Sequence, residues 1–140
     1  MTFVRRLFFD QHGSDMVESA GTIPVLMLAL LAIIQMGTLV YARQSAEEAA
    51  RYGVRRGVVN VGNPVGAAVD AADQYASTAL PWGHSTTVEA PGGIVGSTMR
   101  LRVTTNPPNI INAILSFFHV SSTQFQISAI AEGRMEGWAP

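Results

Sequence analysis

The uncharged segment SAGTIPVLMLALLAIIQMGTLVYA, residues 19–42, dominates this sequence: it contains 24 consecutive residues without a charge. About 20 apolar residues in a helix cross the hydrocarbon core of a bilayer. The 140-residue chain, long enough for one domain, is 48% hydrophobic and only 14% charged, whereas soluble domains average about 25% charged residues. The segment therefore predicts a transmembrane helix.

A cleaved secretory signal is the alternative interpretation of this segment. Such a signal has a basic region directly before an apolar stretch of about 7–15 residues and a small-residue cleavage site after it. Here Asp15 and Glu18 separate Arg5 and Arg6 from the apolar run, which is also too long. Residues 40–42 form a poor cleavage site, so the sequence favours an anchor that stays attached.

The helical pattern continues beyond the apolar run as a predicted stalk. One helix over residues 14–59 would be about 70 Å long, of which only about 30 Å fits in hydrocarbon. Small residues line one side of this stalk, and two partners remain open for them: the helix of another chain, or the C-terminal part of the same chain. These residues are Ala42, Ala46, Ala49, Ala50, Gly53, Val54 and Gly57.

The rest of the chain predicts a small head of mixed structure. A helix break at residues 62–64 precedes a second helix over residues 64–78, with Val65, Val69, Ala72 and Ala76 on one face. Alternating apolar residues predict strands at residues 85–89, 98–104 and 124–135. An apolar segment at residues 110–118 predicts a short helix that covers the sheet, with a membrane-surface patch as the alternative.

The fold class is therefore α+β, in the sense of segregated helices and strands. It combines a long N-terminal transmembrane and stalk helix, a second shorter helix and a small antiparallel β-sheet head. The predicted division is a leader at residues 1–13, the transmembrane and stalk helix at residues 14–59, and the head at residues 60–140.

Two short segments flank the apolar run and carry a family resemblance. Residues 13–18, GSDMVE, precede the run, and residues 39–44, LVYARQ, are followed by residues 49–55, AARYGVR. Their order and spacing resemble the "aromatic-x-R-Q … A-A-R-x-G-A-R" pattern of TadE-like pseudopilins, which belong to the tight-adherence, type IV pilin-like systems of bacteria. The resemblance covers mainly residues 13–56.

This resemblance implies processing and pairing at the N-terminus. A prepilin peptidase would cut between Gly13 and Ser14 on the cytoplasmic side, which leaves Glu18 as the fifth residue of the mature chain. In pilin-type proteins this carboxylate pairs with the N-terminal amine of a neighbouring subunit. Asp15 and Glu18 also match a capping box, in which Glu18 would satisfy backbone donors at the helix start.

Three further residues are candidates for helix packing within the membrane. Pro24 removes a helical hydrogen bond and tends to kink the helix, which neighbouring chains can compensate. Gln35 either bonds to a neighbouring helix or faces the membrane interface, and Gly37 is the third candidate.

The orientation of the span depends on the resemblance. Arg43, Arg51, Arg55 and Arg56 follow the span, so the positive-inside rule alone would place the C-terminal side in the cytoplasm. The resemblance implies the reverse: a single pass through the bacterial cytoplasmic membrane with the head outside, and a further location at the cell surface or in a pilus. Long domains cross membranes largely regardless of charge, so we follow the resemblance.

The sequence favours a structural or assembly component, and we expect no enzyme activity, catalytic residues, metal site or cofactor. The chain has no cysteine, its three histidines are separated, and Asp70 and Asp73 are expected on a solvated helix face. Basic residues do not alternate with aromatic ones, so we expect no nucleic acid. Expected partners are the membrane, a prepilin peptidase and other pilin or pseudopilin subunits in a homo- or hetero-oligomer.

The leading functional interpretation is a pilin-like component that serves in pilus assembly, secretion or cell adhesion. The first alternative is a single-span anchor that displays an extracytoplasmic binding or adhesive domain. The second alternative is an enzyme secreted after cleavage near residue 43, for which no catalytic pattern is present.

Overall fold

A computed structural model describes residues 11–117, 119 and 124–136. Predictions for residues 1–10, most of the leader, and for residues 137–140 lie outside the described residues. The chain forms an α+β fold with three helices and three strands in the described part. These are α1 (Gln11–Val58), α2 (Pro64–Ala79), β1 (His84–Pro91), β2 (Thr98–Thr105), α3 (Ile110–Phe117) and β3 (Ile127–Arg134).

Helix α1 is the longest element and is continuous through Pro24. Its 48 residues span about 72 Å. It begins at Gln11, three residues before the predicted start, and ends one residue before the predicted end. The helix is long and apolar enough to cross a membrane: one 18-residue window has a mean hydropathy of 2.3, and only 6% of that window is buried.

The second half of α1 packs closely against α2 through two glycines. A Cβ atom added at Gly53 would lie 2.6 Å from the carbonyl oxygen of Ala68 and 2.8 Å from the Cβ of Ala72. One added at Gly57 would lie 2.9 Å from the carbonyl oxygen of Pro64. Small residues thus let the two helix backbones approach each other, so the small-residue side of α1 packs on its own chain.

The start of α2 is fixed by side chains of the preceding turn. Asn63 is the N-cap, and its side-chain oxygen accepts a hydrogen bond from the Gly66 amide at 2.9 Å. Pro64 occupies the first turn, where a missing amide hydrogen costs little. The prediction of this helix is confirmed, although its most buried residues are alanines, and Val65 and Val69 are only half-buried. The buried residues are Ala68, Ala72 and Ala76.

The sheet is antiparallel, with strand order β1-β2-β3. The central strand β2 alternates as predicted, and Met99, Leu101 and Val103 are fully buried. Strand β3 contributes Ala129 and Ala131 to the same inner face. This face packs against the second half of α1, while α2 also contacts β1. The core of the head therefore includes α1 residues that precede the predicted head boundary.

The outer face of the sheet carries a charged network. Glu89 lies at a β-bulge in β1, and one of its carboxylate oxygens accepts from the Nε of Arg102 at 2.6 Å. Arg100 pairs with Glu132 on β3 and lies 4.0 Å from Glu89. Bulges and charges on an edge strand discourage pairing with further strands, so this edge of the sheet is protected.

Helix α3 lies beside α1, and the prediction that it covers the sheet is wrong for the described residues. The physical reason is Gln35, which is the polar residue in the middle of the apolar run. Its amide bonds to the Pro108 carbonyl and the Ile110 amide, and these bonds fix the start of α3 to α1.

Candidate functional site

The first half of α1 exposes large apolar side chains in every direction. Val25, Leu26, Met27 and Leu28 are successive residues, each more than half exposed. Because successive helical residues point about 100° apart, these four face all sides of the helix. In water such a surface would be unfavourable, since burial of each side chain yields about 1.5–3 kcal/mol. We call residues 19–40 the apolar half; its other large exposed residues are Ile23, Leu30, Ile33, Ile34, Met36 and Val40.

Glu18 stands at the start of the apolar half and is exposed. Its backbone carbonyl accepts a hydrogen bond from the Thr22 hydroxyl at 2.8 Å. The backbone at Gly13 and Ser14 is already helical, and α1 begins four residues before Asp15. Asp15 and Glu18 therefore do not cap α1 in the chain as described, which corrects the capping-box interpretation. Cleavage after Gly13 and pairing through Glu18 stay predictions.

Two of the predicted packing residues lie open on the apolar half. Pro24 and Gly37 are exposed, and a Cβ atom added at Gly37 would meet nothing within 4 Å. A second helix could therefore approach the backbone closely at Gly37. Both residues stay predictions as packing sites.

Gln35 differs from its neighbours because it is only 2% exposed. Its Nε2 donates to the Pro108 carbonyl at 3.3 Å, and its Oε1 accepts from the Ile110 amide at 2.7 Å. Both ends of the side-chain amide thus bond to the segment that leads into α3 of the same chain. The structure places Gln35 at the contact between the apolar half and the head.

An aromatic pair marks the junction between the apolar half and the head. The Tyr41 hydroxyl donates to the Ala79 carbonyl at 3.0 Å, and its ring meets Trp82 edge to face with centroids 6.1 Å apart. In the described residues the indole nitrogen of Trp82 is buried without a hydrogen-bond partner. Tyr and Trp are enriched where a protein passes from lipid to water, and this pair lies where the apolar half meets the head.

Polar contacts in the head join its elements. The Tyr75 hydroxyl on α2 donates to Glu48 on α1 at 2.5 Å, and this bond, with burial and the negative charge of Glu48, raises the pKa of Tyr75 above 10.0. Within α1, Glu47 and Arg51 form an ion pair at 2.5 Å. Among the described residues no group of three or more His, Asp or Glu side chains could hold a metal ion.

One of the two acidic residues on α2 lies in a contact that spacing did not predict. Asp73 accepts from the Thr86 hydroxyl at 2.5 Å and lies 3.4 Å from the Nε2 of His84. Asp70 is exposed, as expected for a solvated face, and the Asp73 side chain is also 47% exposed although it makes these two contacts. Since the three residues join α2 to the edge strand β1, the contact holds these two elements of the head together.

Comparison with protein families shows what the N-terminal part of the chain is similar to. The model of the family described as TadE-like protein matches residues 13–55. Residues 13–55 are similar to the TadE-like family, and we call them the TadE-like segment. This confirms the resemblance inferred from the two motifs that flank the apolar run.

The TadE-like segment contains the apolar half and most of the small-residue side of α1, and it ends three residues before the helix does. The head elements that follow lie outside the match. Comparisons with curated proteins and with solved structures gave no match.

Proposed function

We propose that this protein is a membrane-anchored, pilin-like component of a tight-adherence type IV pilus or a related secretion system. Its role is structural or in assembly, with no enzymatic step. It would cross the bacterial cytoplasmic membrane once, with the head outside. The observation that carries this proposal is the apolar half, which lies in the TadE-like segment and is exposed on all sides over residues 19–30.

The apolar half supplies the proposed mechanism. In the membrane its side chains contact lipid, and during assembly the helices of sister subunits replace that lipid at little energetic cost. Gly37 offers a point where two backbones could come close, because no atom lies within 4 Å of its Cβ position. The assembly step is then an exchange of apolar surroundings.

Glu18 supplies the proposed register of this exchange. A carboxylate beside hydrocarbon is costly unless it is paired. After cleavage at Gly13 the new α-amine, with an ordinary pKa of about 7.7–8.0, would be mostly cationic at neutral pH. Pairing between this amine and Glu18 of the neighbouring subunit would therefore fix one register between adjacent helices.

The head limits which surfaces remain for contacts between subunits. Ala46, Ala49 and Ala50 are fully buried against the sheet and α2 of their own chain. A sister helix could reach them only if the head opened. The proposed subunit contacts therefore involve the apolar half and the outer surface of the head.

The proposal is tested by the mass and N-terminal sequence of the native protein, together with the variant Glu18→Ala. We expect the mature chain to begin at Ser14, and we expect Glu18→Ala to reduce incorporation into assemblies about tenfold, equivalent to about 1.4 kcal/mol. Ser19→Ala, one residue away, serves as the control and should assemble normally.

A native chain that retains Met1, and that assembles equally well with Glu18→Ala, would contradict the proposal. That result would support the alternative of a single-span anchor that displays a binding or adhesive head. An N-terminus near residue 43 would instead indicate release by signal peptidase.

A further inference from the structure

Helix α3 begins at a level of the molecule that belongs to the apolar run. Its first residue, Ile110, donates its amide hydrogen to Gln35 at 2.7 Å. Gln35 lies eight residues before Arg43, the first charge after the run. Along an α-helix this separation is about 12 Å. The start of α3 therefore lies about 12 Å from Arg43, measured along α1 toward its N-terminus.

The length of the run decides where Gln35 lies relative to a bilayer. A hydrocarbon core about 30 Å thick takes about 20 helical residues. If this core began as early as Ser19, directly after Glu18, it would extend to about residue 38. A tilted helix needs more residues to cross the same thickness. In every placement that keeps the charges outside, Gln35 and the start of α3 lie within the hydrocarbon.

Helix α3 belongs to a long uncharged segment of the head. Residues 103–131 contain no Asp, Glu, Lys or Arg over 29 positions. The charged network of Glu89, Arg100, Arg102 and Glu132 lies on the outer face of the sheet. The segment that contains α3 therefore has no Asp, Glu, Lys or Arg side chain of its own that would resist entry into lipid.

We propose that α3 is a second membrane-contacting element, which inserts beside α1 into the leaflet on the side of the head. The partner of this surface is the acyl region of that leaflet. The inference rests on the proposed function only in requiring that the apolar half spans a membrane. It adds that the head contacts the bilayer surface directly and is not held away from the bilayer by a stalk.

The hydrogen bonds at the start of α3 suit a site within lipid. Backbone groups in hydrocarbon have no water partner and must be satisfied within the protein. Gln35 serves the Pro108 carbonyl and the Ile110 amide, and the Asn109 side chain accepts from the Asn112 amide at 3.1 Å. The turn that enters α3 is thus supplied with internal partners, and the almost complete burial of Gln35 follows from this role.

The test uses single-cysteine variants of the full chain, which has no cysteine of its own. Ser116→Cys places an environment-sensitive fluorophore on an exposed position of α3. Met36→Cys places it on the apolar half beside Gln35, and Val61→Cys places it at the far end of the head, where the side chain is 84% exposed. Each labelled protein is reconstituted into phosphatidylcholine vesicles. The fluorescence of the label is then quenched either by lipids with nitroxides on their acyl chains or by aqueous iodide.

We expect nitroxide lipids to remove most of the fluorescence at residues 36 and 116, with little effect of iodide, and the opposite pattern at residue 61. Quenching of residue 116 by iodide alone, with residue 36 quenched by the lipid nitroxides, would overturn the inference and leave the membrane anchor intact. Protection of residue 116 from both quenchers would also overturn it, because α3 would then be covered by protein.

Loss of lipid quenching at both residues would refute the membrane anchor itself, and the inference with it. Asn112→Cys, which is also exposed on α3, provides a second label. Quenching of both residues 112 and 116 by the lipid nitroxides supports the inference, and quenching of both by iodide contradicts it.

Discussion

The two halves of α1 belong to one continuous helix, yet they are surrounded in opposite ways. Between Ile23 and Val40 the large apolar side chains are mostly exposed, such as Val25 at 65% and Ile33 at 69%. After Tyr41 the inward residues are small, and Ala46 and Ala50 are fully buried. The difference shows that side-chain size distinguishes the two halves of the helix. Small residues allow the backbone of α2 and the sheet of the head to approach closely, whereas large residues leave a surface for lipid or sister helices.

The largest effect that would distinguish the halves is expected from truncating a leucine in the head core. Leu101 is fully buried where the sheet meets the second half of α1. Leu101→Ala should lower the free energy of unfolding of the head by about 2–5 kcal/mol, because it loses buried apolar contact and leaves a cavity. Denaturant unfolding of the detergent-solubilised protein measures this change.

Leu30→Ala is the matched control in the apolar half, where the leucine is 58% exposed. It should change the unfolding of the head by less than about 0.5 kcal/mol, as surface substitutions do. Equal destabilisation by the two variants would contradict the difference between the halves.

A pair of glycine substitutions tests the close approach of the helices. In Gly53→Ala the new methyl group would meet the Ala68 carbonyl oxygen at 2.6 Å, and a backbone atom cannot easily move away. Overpacking of this kind should cost about 1–3 kcal/mol in the thermal or denaturant unfolding of the head.

Gly37→Ala makes the same chemical change where nothing lies within 4 Å. The monomeric protein should be unaffected or slightly more stable, because alanine has the higher helix propensity. If Gly37→Ala destabilised the isolated monomer as much as Gly53→Ala, the second half of α1 would not be the packed half.

Removal of the Gln35 amide should loosen α3 without unfolding the head. Gln35→Leu leaves the Pro108 carbonyl and the Ile110 amide without this partner, at a cost of about 1–3 kcal/mol for buried groups. Hydrogen–deuterium exchange should become faster at the amides of residues 109–112 and stay unchanged in β2. Met36→Leu, at the next position, is the control; unchanged exchange in Gln35→Leu would refute the role of Gln35.

The smallest effect is expected from the contact between Tyr75 and Glu48. The pKa of Tyr75 is raised because its neutral hydroxyl donates to Glu48. Folding therefore favours the neutral form, and the contribution is complete below the ordinary value of 10.0 and is lost as the pH rises through the higher folded pKa. Because the pair is largely exposed to water, Tyr75→Phe should cost less than about 1 kcal/mol at pH 7.

This contact is checked by the pH dependence of unfolding between pH 8 and 11. The loss of stability at alkaline pH should be smaller in Tyr75→Phe than in the parent protein. Tyr52→Phe retains the hydroxyl of Tyr75 and should keep the full alkaline loss. Identical alkaline profiles for the parent and Tyr75→Phe would show that the contact does not stabilise the fold.

The sequence predicted the elements well where a strong period or a clear break was present. The uncharged run predicted α1, Asn63 and Pro64 marked the start of α2, and the alternation around Leu101 predicted β2 and its buried face. These signals are local. Each is sufficient to predict its helix or strand, because the conformational preference of the residues involved acts within a few positions of the chain.

Contacts between distant residues could not be predicted in the same way. From sequence alone, the small-residue side of α1 could pack against a sister helix or against α2. The tertiary structure shows that it packs against α2. Asp73 and His84 are 11 positions apart, with a loop between them, so their spacing carries no signal. No local signal predicts that α3 packs beside α1, because its partner Gln35 lies 75 residues earlier in the chain.

The division of α1 into two halves can be measured with nitroxide labels on the full chain in lipid vesicles. Labels at the four successive residues 25–28 report on every side of the apolar half, and labels at Arg51 and Arg55 report on the exposed side of the second half. We predict collisions mainly with oxygen, which concentrates in lipid, at all four positions, and mainly with a water-soluble nickel complex at the two arginine positions. Frequent nickel collisions at residues 25–28 would show that the apolar half lies in water, and would contradict a membrane-anchored protein.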